Sequence, residues 1–148
     1  MKSTRLVLLT ALVLASILAA VPASAETNGW GANLALFDGE FGLQARKDFW
    51  LGGDISQITG QAGVYFANRT IWALDVDYHF VIQSASGTSR FYPLVGIDFK
   101  FNSDDSEFGI NAGGGVNFML TETLAAFAEL KYVISDYDGF GVAAGIYF

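Results

Sequence analysis

The sequence predicts an all-β protein: an eight-stranded antiparallel up-and-down transmembrane β-barrel preceded by a cleaved signal peptide. Three observations carry this expectation. After Glu26 the dominant hydrophobic period is two, the period of a strand, and no helical pattern of useful length survives. The face opposite the apolar one is largely Gly and Ala with charges of both signs, and lacks the many long cations of a water-exposed surface. The first 25 residues have the three-part layout of an export signal.

That leader begins with two cations, Lys2 and Arg5, continues as an apolar run from Leu6 to Ala20, and ends in Val21-Pro22-Ala23-Ser24-Ala25. A membrane-spanning helix needs about 20 apolar residues, and this run is shorter and stops at Pro22. Cleavage is expected after Ala25, which divides the chain into a signal peptide, 1–25, and a barrel domain, 26–148. Loss of Lys2 and Arg5 takes the net charge from −7 to −9 and argues against a nucleic-acid partner. The chain has no Cys, which excludes disulfides, thiolate metal sites and a lipidated N-terminal Cys, and its single His leaves little for zinc. No cofactor is implied.

The strands follow in order. Trp30, Ala32, Leu34 and Leu36 make a short first strand. Phe41, Leu43 and Ala45 oppose Glu40, Gln44 and Arg46 in the second. From Trp50 to Phe66 the frame slips: Leu51, Gly53 and Ile55 start in phase, whereas Ala62, Val64 and Phe66 sit on the other parity. A bulge near Gln57-Ile58 keeps eight strands and a turn at Thr59-Gly60 gives nine; eight is preferred. Trp72 to Phe80 opposes Asp75, Asp77 and His79, and Phe91 to Phe101 opposes Tyr92, Gly96, Asp98 and Lys100. Ile110 to Leu120, Leu124 to Ile134 and Phe140 to Phe148 complete the set. Turn signals fall at Asp38-Gly39, Arg46-Lys47-Asp48, Asn68-Arg69-Thr70, Ser84 to Ser89, Asn102 to Ser106, Thr121-Glu122-Thr123 and Asp136 to Gly139.

Alternation alone does not say which face is outside. The charges on the small-residue face come in opposite-sign sets: Asp98 with Lys100, Glu129 with Lys131, and Arg46 near Asp54. Confined charges need such partners. The apolar face is bulky and ends in aromatics, so the barrel is turned inside out, with a polar lumen and an apolar exterior. In lipid an open sheet would leave edge N–H and C=O groups unsatisfied, so closure is required. With the first strand rising from the periplasm, Trp30, Trp50, Phe80, Phe91, Phe118 and Phe148 form a periplasmic belt. Phe41, Phe66, Trp72, Phe101 and Phe140 form an outer one. Phe37 and Phe127 point inward by parity and are expected to fill the lumen.

Several motifs now point one way. They are Phe91-Tyr92-Pro93-Leu94-Val95-Gly96, the Gly-rich run Phe108 to Val116, the turn Leu120-Thr121-Glu122-Thr123-Leu124, and Ala128-Glu129-Leu130-Lys131-Tyr132. In this order, with Phe148 last, the chain resembles the small eight-stranded outer-membrane β-barrel proteins of Gram-negative bacteria, the opacity-protein and porin-like barrel domains. The resemblance implies export to the outer membrane of a Gram-negative bacterium and contact with outer-membrane lipid and lipopolysaccharide. It implies that Ile146 and Phe148 form the signal read by the barrel-insertion machinery, although Gly141 and Ala143 depart from the usual residues further back. It also implies a monomer with a structural or surface role, in envelope integrity or surface contact.

The expected lumen network is Gln44, Arg46, Asp54, Asp75, Asp77, His79, Asp98, Lys100, Glu129 and Lys131. An eight-stranded barrel has room for its own side chains and little else, so a static polar filling is preferred over an ion path. His79 with Asp77 or Asp75 could act as a general base in a lipid-modifying enzyme. Alternation alone explains their shared face, so no catalytic residue is named. A soluble lipocalin-like barrel that binds an apolar ligand is the remaining alternative. The acidic segments Asp38 to Glu40, Ser103 to Glu107 and Asp136 to Gly139 read as solvated turns with incomplete cation-loop motifs.

Overall fold

The structure, a computed structural model, describes residues 29–53, 55–136 and 138–148. The signal-peptide expectation over 1–25 and the lumen assignment of Asp54 lie outside them. The elements are β1 (Trp30–Phe37), β2 (Glu40–Trp50), β3 (Ser56–Phe66), β4 (Thr70–Phe80), β5 (Ile82–Gln83), β6 (Ser89–Phe101), β7 (Ser106–Met119), β8 (Ala125–Ile134) and β9 (Gly139–Tyr147). Each pairs antiparallel with its neighbours, and β1 pairs with β9 from Gly31↔Tyr147 to Phe37↔Gly141. The sheet is therefore closed.

β4 and β5 are one stave. His79 pairs with Leu94 and Ile82 with Phe91, in a single register across the gap. Opposite the gap stands Pro93, which has no N–H to give to the ladder. Val81 N–H bonds instead to Ile55 O on the other side, at 2.8 Å. Counted this way the barrel has eight staves, as the periodicity requires.

The frame slip before Phe66 has a different cause from the one expected. There is no bulge at Gln57-Ile58 and no turn at Thr59-Gly60: β3 pairs without interruption with both neighbours. Nor is Arg46-Lys47-Asp48 a turn, since β2 runs through it to Trp50. The reversal lies at 51–55, where Gly52 (φ 101°) and Gly53 (φ 73°) supply left-handed backbone that side-chain-bearing residues resist. Polar residues at 46–48 looked like a turn, but Arg46 and Asp48 face the polar lumen while Lys47 lies on the outer face over the Trp30 and Phe49 rings.

At the far end, Asp38 (φ 48°) and Gly39 (φ 85°) form the two-residue reversal that matches strand twist, closed over the Phe37↔Glu40 pair. Asn102 builds another, its Oδ1 accepting from Asp104 N at 2.8 Å and Asp105 N at 3.0 Å. The connections at this end are short: 38–39, 67–69, 102–105 and 135–138. The first and last described strands begin and end at the opposite rim.

Burial is inverted relative to a water-soluble protein. Leu34, Leu74, Val76, Val95, Ile97, Ile110, Leu130 and Val142 are exposed along the middle of the outer wall. Asn33, Gln44, Arg46, Asp77, His79, Asn111 and Glu129 are buried. Apolar side chains do enter the lumen, but towards its ends. Phe37, Tyr65, Ala35, Ala73, Val133 and Ala143 pack near the far rim. Phe127, Tyr147 and Ala125 pack near the rim that carries the chain ends.

The lumen as candidate functional site

Side-chain alternation brings Arg46 (β2) and Glu129 (β8) together across the lumen. Arg46 Nη1 lies 3.1 Å from Glu129 Oε2, and both side chains are wholly excluded from solvent. The guanidinium also sits over the Phe127 ring at 4.2 Å and near Tyr147 at 5.2 Å. A desolvated cation over an aromatic face gains about 2 kcal/mol. Tyr92 OH donates to the same Glu129 oxygen at 3.1 Å. Gly115 makes room for that ring, since a Cβ there would stand 2.5 Å from Tyr92 Cζ.

Lys131 anchors a second group. Its Nζ lies 2.8 Å from Asp77 Oδ2, 3.5 Å from Asp75 Oδ1 and 3.7 Å from Glu129 Oε1. Gln61 donates to Asp77 Oδ2 at 2.8 Å. Its closest partner is thus Asp77 on the opposite wall and not Glu129 on its own strand. Nearer the far rim, Lys100 Nζ meets Asp98 Oδ1 at 2.7 Å and the Phe37 ring at 3.8 Å. Asn33 donates to Gln44 at 2.7 Å, and Gln44 to Tyr65 OH at 3.1 Å.

His79 stacks on Tyr92, with ring centroids 4.3 Å apart and planes 9° from parallel. Its Nδ1 is 3.5 Å from Thr59 Oγ1, and Nε2 meets no hydrogen-bond partner. Asp75 and Asp77, the residues that could have oriented it, both turn to Lys131. The ring is fully buried. This is the geometry of a packed lumen residue, stacked on Tyr92 and oriented by neither Asp75 nor Asp77.

The structure thus gathers Arg46, Glu129, Lys131, Asp75 and Asp77 into linked groups, with the Asp98–Lys100 pair beside them, Asp98 facing Asp75 in register, and Gln44 in an amide chain. Arg46 was expected beside Asp54; among the described residues it meets Glu129 and, at 3.9 Å, Asp48. Asp48 is a lumen residue the sequence reasoning missed, because it was read as part of a turn. It accepts from Thr59 Oγ1 at 2.7 Å. Tyr92, Tyr65, Tyr147, Gln57, Thr59, Gln61 and Asn111 also face inward. Tyr92, Asn111 and Tyr147 already stood on the inward parity, and continuing the β3 alternation back from Phe66 would have found Tyr65, Gln61, Thr59 and Gln57.

Trp50, expected in the periplasmic belt, stands at the mouth of the barrel and is 37% exposed. With β2 continuous, it shares the face of Gln57, its register partner, which is buried in the lumen. It lines a cavity of about 30 Å³ at the mouth with Asp48, Arg90, Asn117 and Tyr147. The Arg90 guanidinium lies 5.6 Å from its ring. Phe49, next in sequence, takes the outward position and is exposed. Trp72, Phe80, Phe91, Phe118 and Phe140 are exposed on the outer wall, and Trp30 is half-buried with Lys47 Nζ 5.0 Å from its ring. Ile146 is exposed and Phe148 half-buried beside β1, its N–H bonded to Trp30 O at 3.0 Å.

At the far rim, Lys100, Ile71, Asp105 and Glu107 border a cavity of about 130 Å³. Arg69 pairs with Asp104 there. Among the described residues no three His, Cys, Asp or Glu side chains stand close enough together to hold a metal ion.

The sequence matches no family model and no curated protein. Solved structures do match. The N-terminal β-barrel domain of Pseudomonas aeruginosa OprF superposes with a TM-score of 0.63 at 16% identity, over 81% of this chain and 97% of that one. Ail, the attachment invasion locus protein of Yersinia pestis, superposes with a TM-score of 0.50 at 12% identity, over 81% of this chain and 93% of that one. At such identities the likeness is one of fold. The chain has the fold of the small eight-stranded outer-membrane β-barrels.

Proposed function

We propose that the chain is an integral outer-membrane barrel with a structural role in the envelope, its lumen held shut by its own side chains. The observation that carries this reading is the inverted distribution of polarity. An outer wall of exposed Leu, Val, Ile and Phe would be costly in water and is stable against lipid. The wall would lie against outer-membrane lipid, with lipopolysaccharide in the outer leaflet. The rim that carries the chain ends would face the periplasm.

The lumen supports the closed state. Arg46, Tyr92, His79, Asn111, Thr59 and Asp77 fill its middle with essentially no exposure, and the apolar clusters close over them toward each end. A soluble ligand-binding barrel would need an apolar interior, and this one is polar. The far-rim turns of two to four residues offer no long loop for attachment, which favours envelope integrity over surface contact.

Two measurements test the reading. The purified barrel in planar bilayers is expected to show no stable conductance steps. A strain lacking the protein is expected to become more sensitive to detergents and large apolar antibiotics, with recovery on re-expression. Regular conductance steps would make it a pore, and unchanged sensitivity would remove the structural role.

A further inference from the structure

We propose that Lys47 on the outer wall binds the phosphate of one anionic phospholipid, of the phosphatidylglycerol type, in the periplasmic leaflet. The inference deepens the envelope reading above and rests on it, since it needs the apolar wall to lie against lipid. Among the described residues Lys47 is the one charged side chain on the outward parity of the strands. A cation on the lipid face is strongly unfavourable at the bilayer midplane and nearly neutral at the interface. Lys47 is placed for the second case. It lies near the periplasmic end of β2, and its register partner on β1 is Trp30, the first residue of that strand. Its aliphatic stem can run along the wall and bring the ammonium to the headgroup level.

The ammonium has aromatic neighbours and no anionic one. It lies 5.0 Å from the Trp30 ring and 5.9 Å from the Phe49 ring, and no carboxylate of the described residues pairs with it. Asp48, next in sequence, faces inward to Arg46. The chain end at Phe148 lies beyond Trp30, on the β9 side. Ser56 and Tyr78, outward polar residues lower on the same wall, satisfy each other at 3.0 Å. The wall beside Lys47 is also cut back. Its partner on β3 is Gly60, where a Cβ would meet nothing within 4 Å. One row toward the far rim, Ala32, Ala45 and Ala62 stand side by side. An acyl chain can lie in this trough with its phosphate at Lys47.

Charge decides the lipid class and the leaflet. A zwitterionic lipid carries its own ammonium beside its phosphate, so an anionic one gains more from Lys47. The far half of the outer wall presents no cation among the described strand residues, so nothing comparable faces lipopolysaccharide. The chain as a whole is acidic, with a net charge of −7, and its general field repels anionic lipid. A preference at Lys47 is therefore a local one.

The test places the full-length barrel in phosphatidylcholine vesicles, with Trp50 and Trp72 changed to Phe so that Trp30 alone reports. Part of the lipid is replaced by brominated phosphatidylglycerol or, at the same mole fraction, by brominated phosphatidylcholine. Quenching should show the phosphatidylglycerol bound beside Trp30 roughly fivefold more strongly, the factor for one lysine at an anionic headgroup. Lys47→Gln should bring the two lipids to parity, and Lys47→Arg should keep the preference. Raising the salt concentration should weaken it. A chain that keeps only Trp72, near the far rim, should show no such preference. Equal quenching of Trp30 by the two lipids, a preference that survives Lys47→Gln, or the same preference at Trp72 would overturn the proposal. Those outcomes leave the barrel inserted and the envelope reading standing, whereas a chain that inserts into neither kind of vesicle overturns both.

Discussion

Arg46 and Glu129 stand 83 positions apart in the chain and meet across the barrel at 3.1 Å, with neither side chain reaching solvent. β1 and β9 separate their strands, so the contact forms only once the sheet has closed. Burying two charges is costly, and removing one partner is costlier still. Glu129→Ala should destabilise the barrel by about 3–5 kcal/mol. The double change Arg46→Met with Glu129→Leu should recover most of that. Urea unfolding in detergent or in vesicles measures both, and a double variant as weak as the single one would contradict the assignment.

Gly115 and Tyr92 are coupled sterically. A methyl group at 115 would push the Tyr92 ring from Glu129 and from His79. Gly115→Ala should cost about 2 kcal/mol or more, from a hydrogen bond to a charged group and a lost stack. In a Tyr92→Leu background the same change should cost less, because the ring clash is gone and only the 2.8 Å approach to the Ala128 carbonyl oxygen remains. Additive costs in a double-mutant cycle would mean that Gly115 serves some other purpose.

Trp50 and Trp72 should report different environments. Chains that retain only one Trp can be inserted into vesicles containing brominated lipid. Trp72, exposed on the outer wall, should be quenched. Trp50, which lines the mouth with Arg90 and Asp48, should respond to aqueous iodide or acrylamide and little to the lipid quencher. Strong lipid quenching of Trp50 would return it to the aromatic belt.

The outer wall should be intolerant of charge in proportion to depth. Val95 lies at the middle of β6 and is exposed, whereas Thr70 begins β4 at the far rim. Val95→Arg should lower folding stability in a bilayer by about 2–4 kcal/mol, and Thr70→Arg by about 0–1 kcal/mol. Equal effects at the two depths would mean that Val95 does not face hydrocarbon.

Much of this was legible in the sequence, for a physical reason. A barrel wall has a period of two along every strand, so one parity fixes the whole set of inward residues. Asp75, Asp77, His79, Asp98, Lys100, Glu129 and Lys131 could be placed in the lumen on that basis, and Phe37 and Phe127 as its fillers. Parity fails where its origin is uncertain. Asp48 and Trp50 were misplaced because polar residues at 46–48 resemble a turn, while the reversal depended on the left-handed backbone of Gly52 and Gly53. Partner choice was not legible at all. That Lys131 prefers Asp77 on the opposite wall to Glu129 on its own strand follows from stagger and closure, which alternation does not encode.

The central claim is a closed barrel with its apolar face against lipid. It is tested most directly by fractionating cells that express the full chain and running the outer-membrane fraction on a denaturing gel, unboiled and boiled. Closure makes every backbone hydrogen bond in the wall part of one ring, so the unboiled protein should resist the detergent and migrate differently from the boiled one. A heat-dependent shift in the outer-membrane fraction is the expected result. Recovery in the soluble fraction, with one mobility under both conditions, would contradict the claim and make the apolar face an interior.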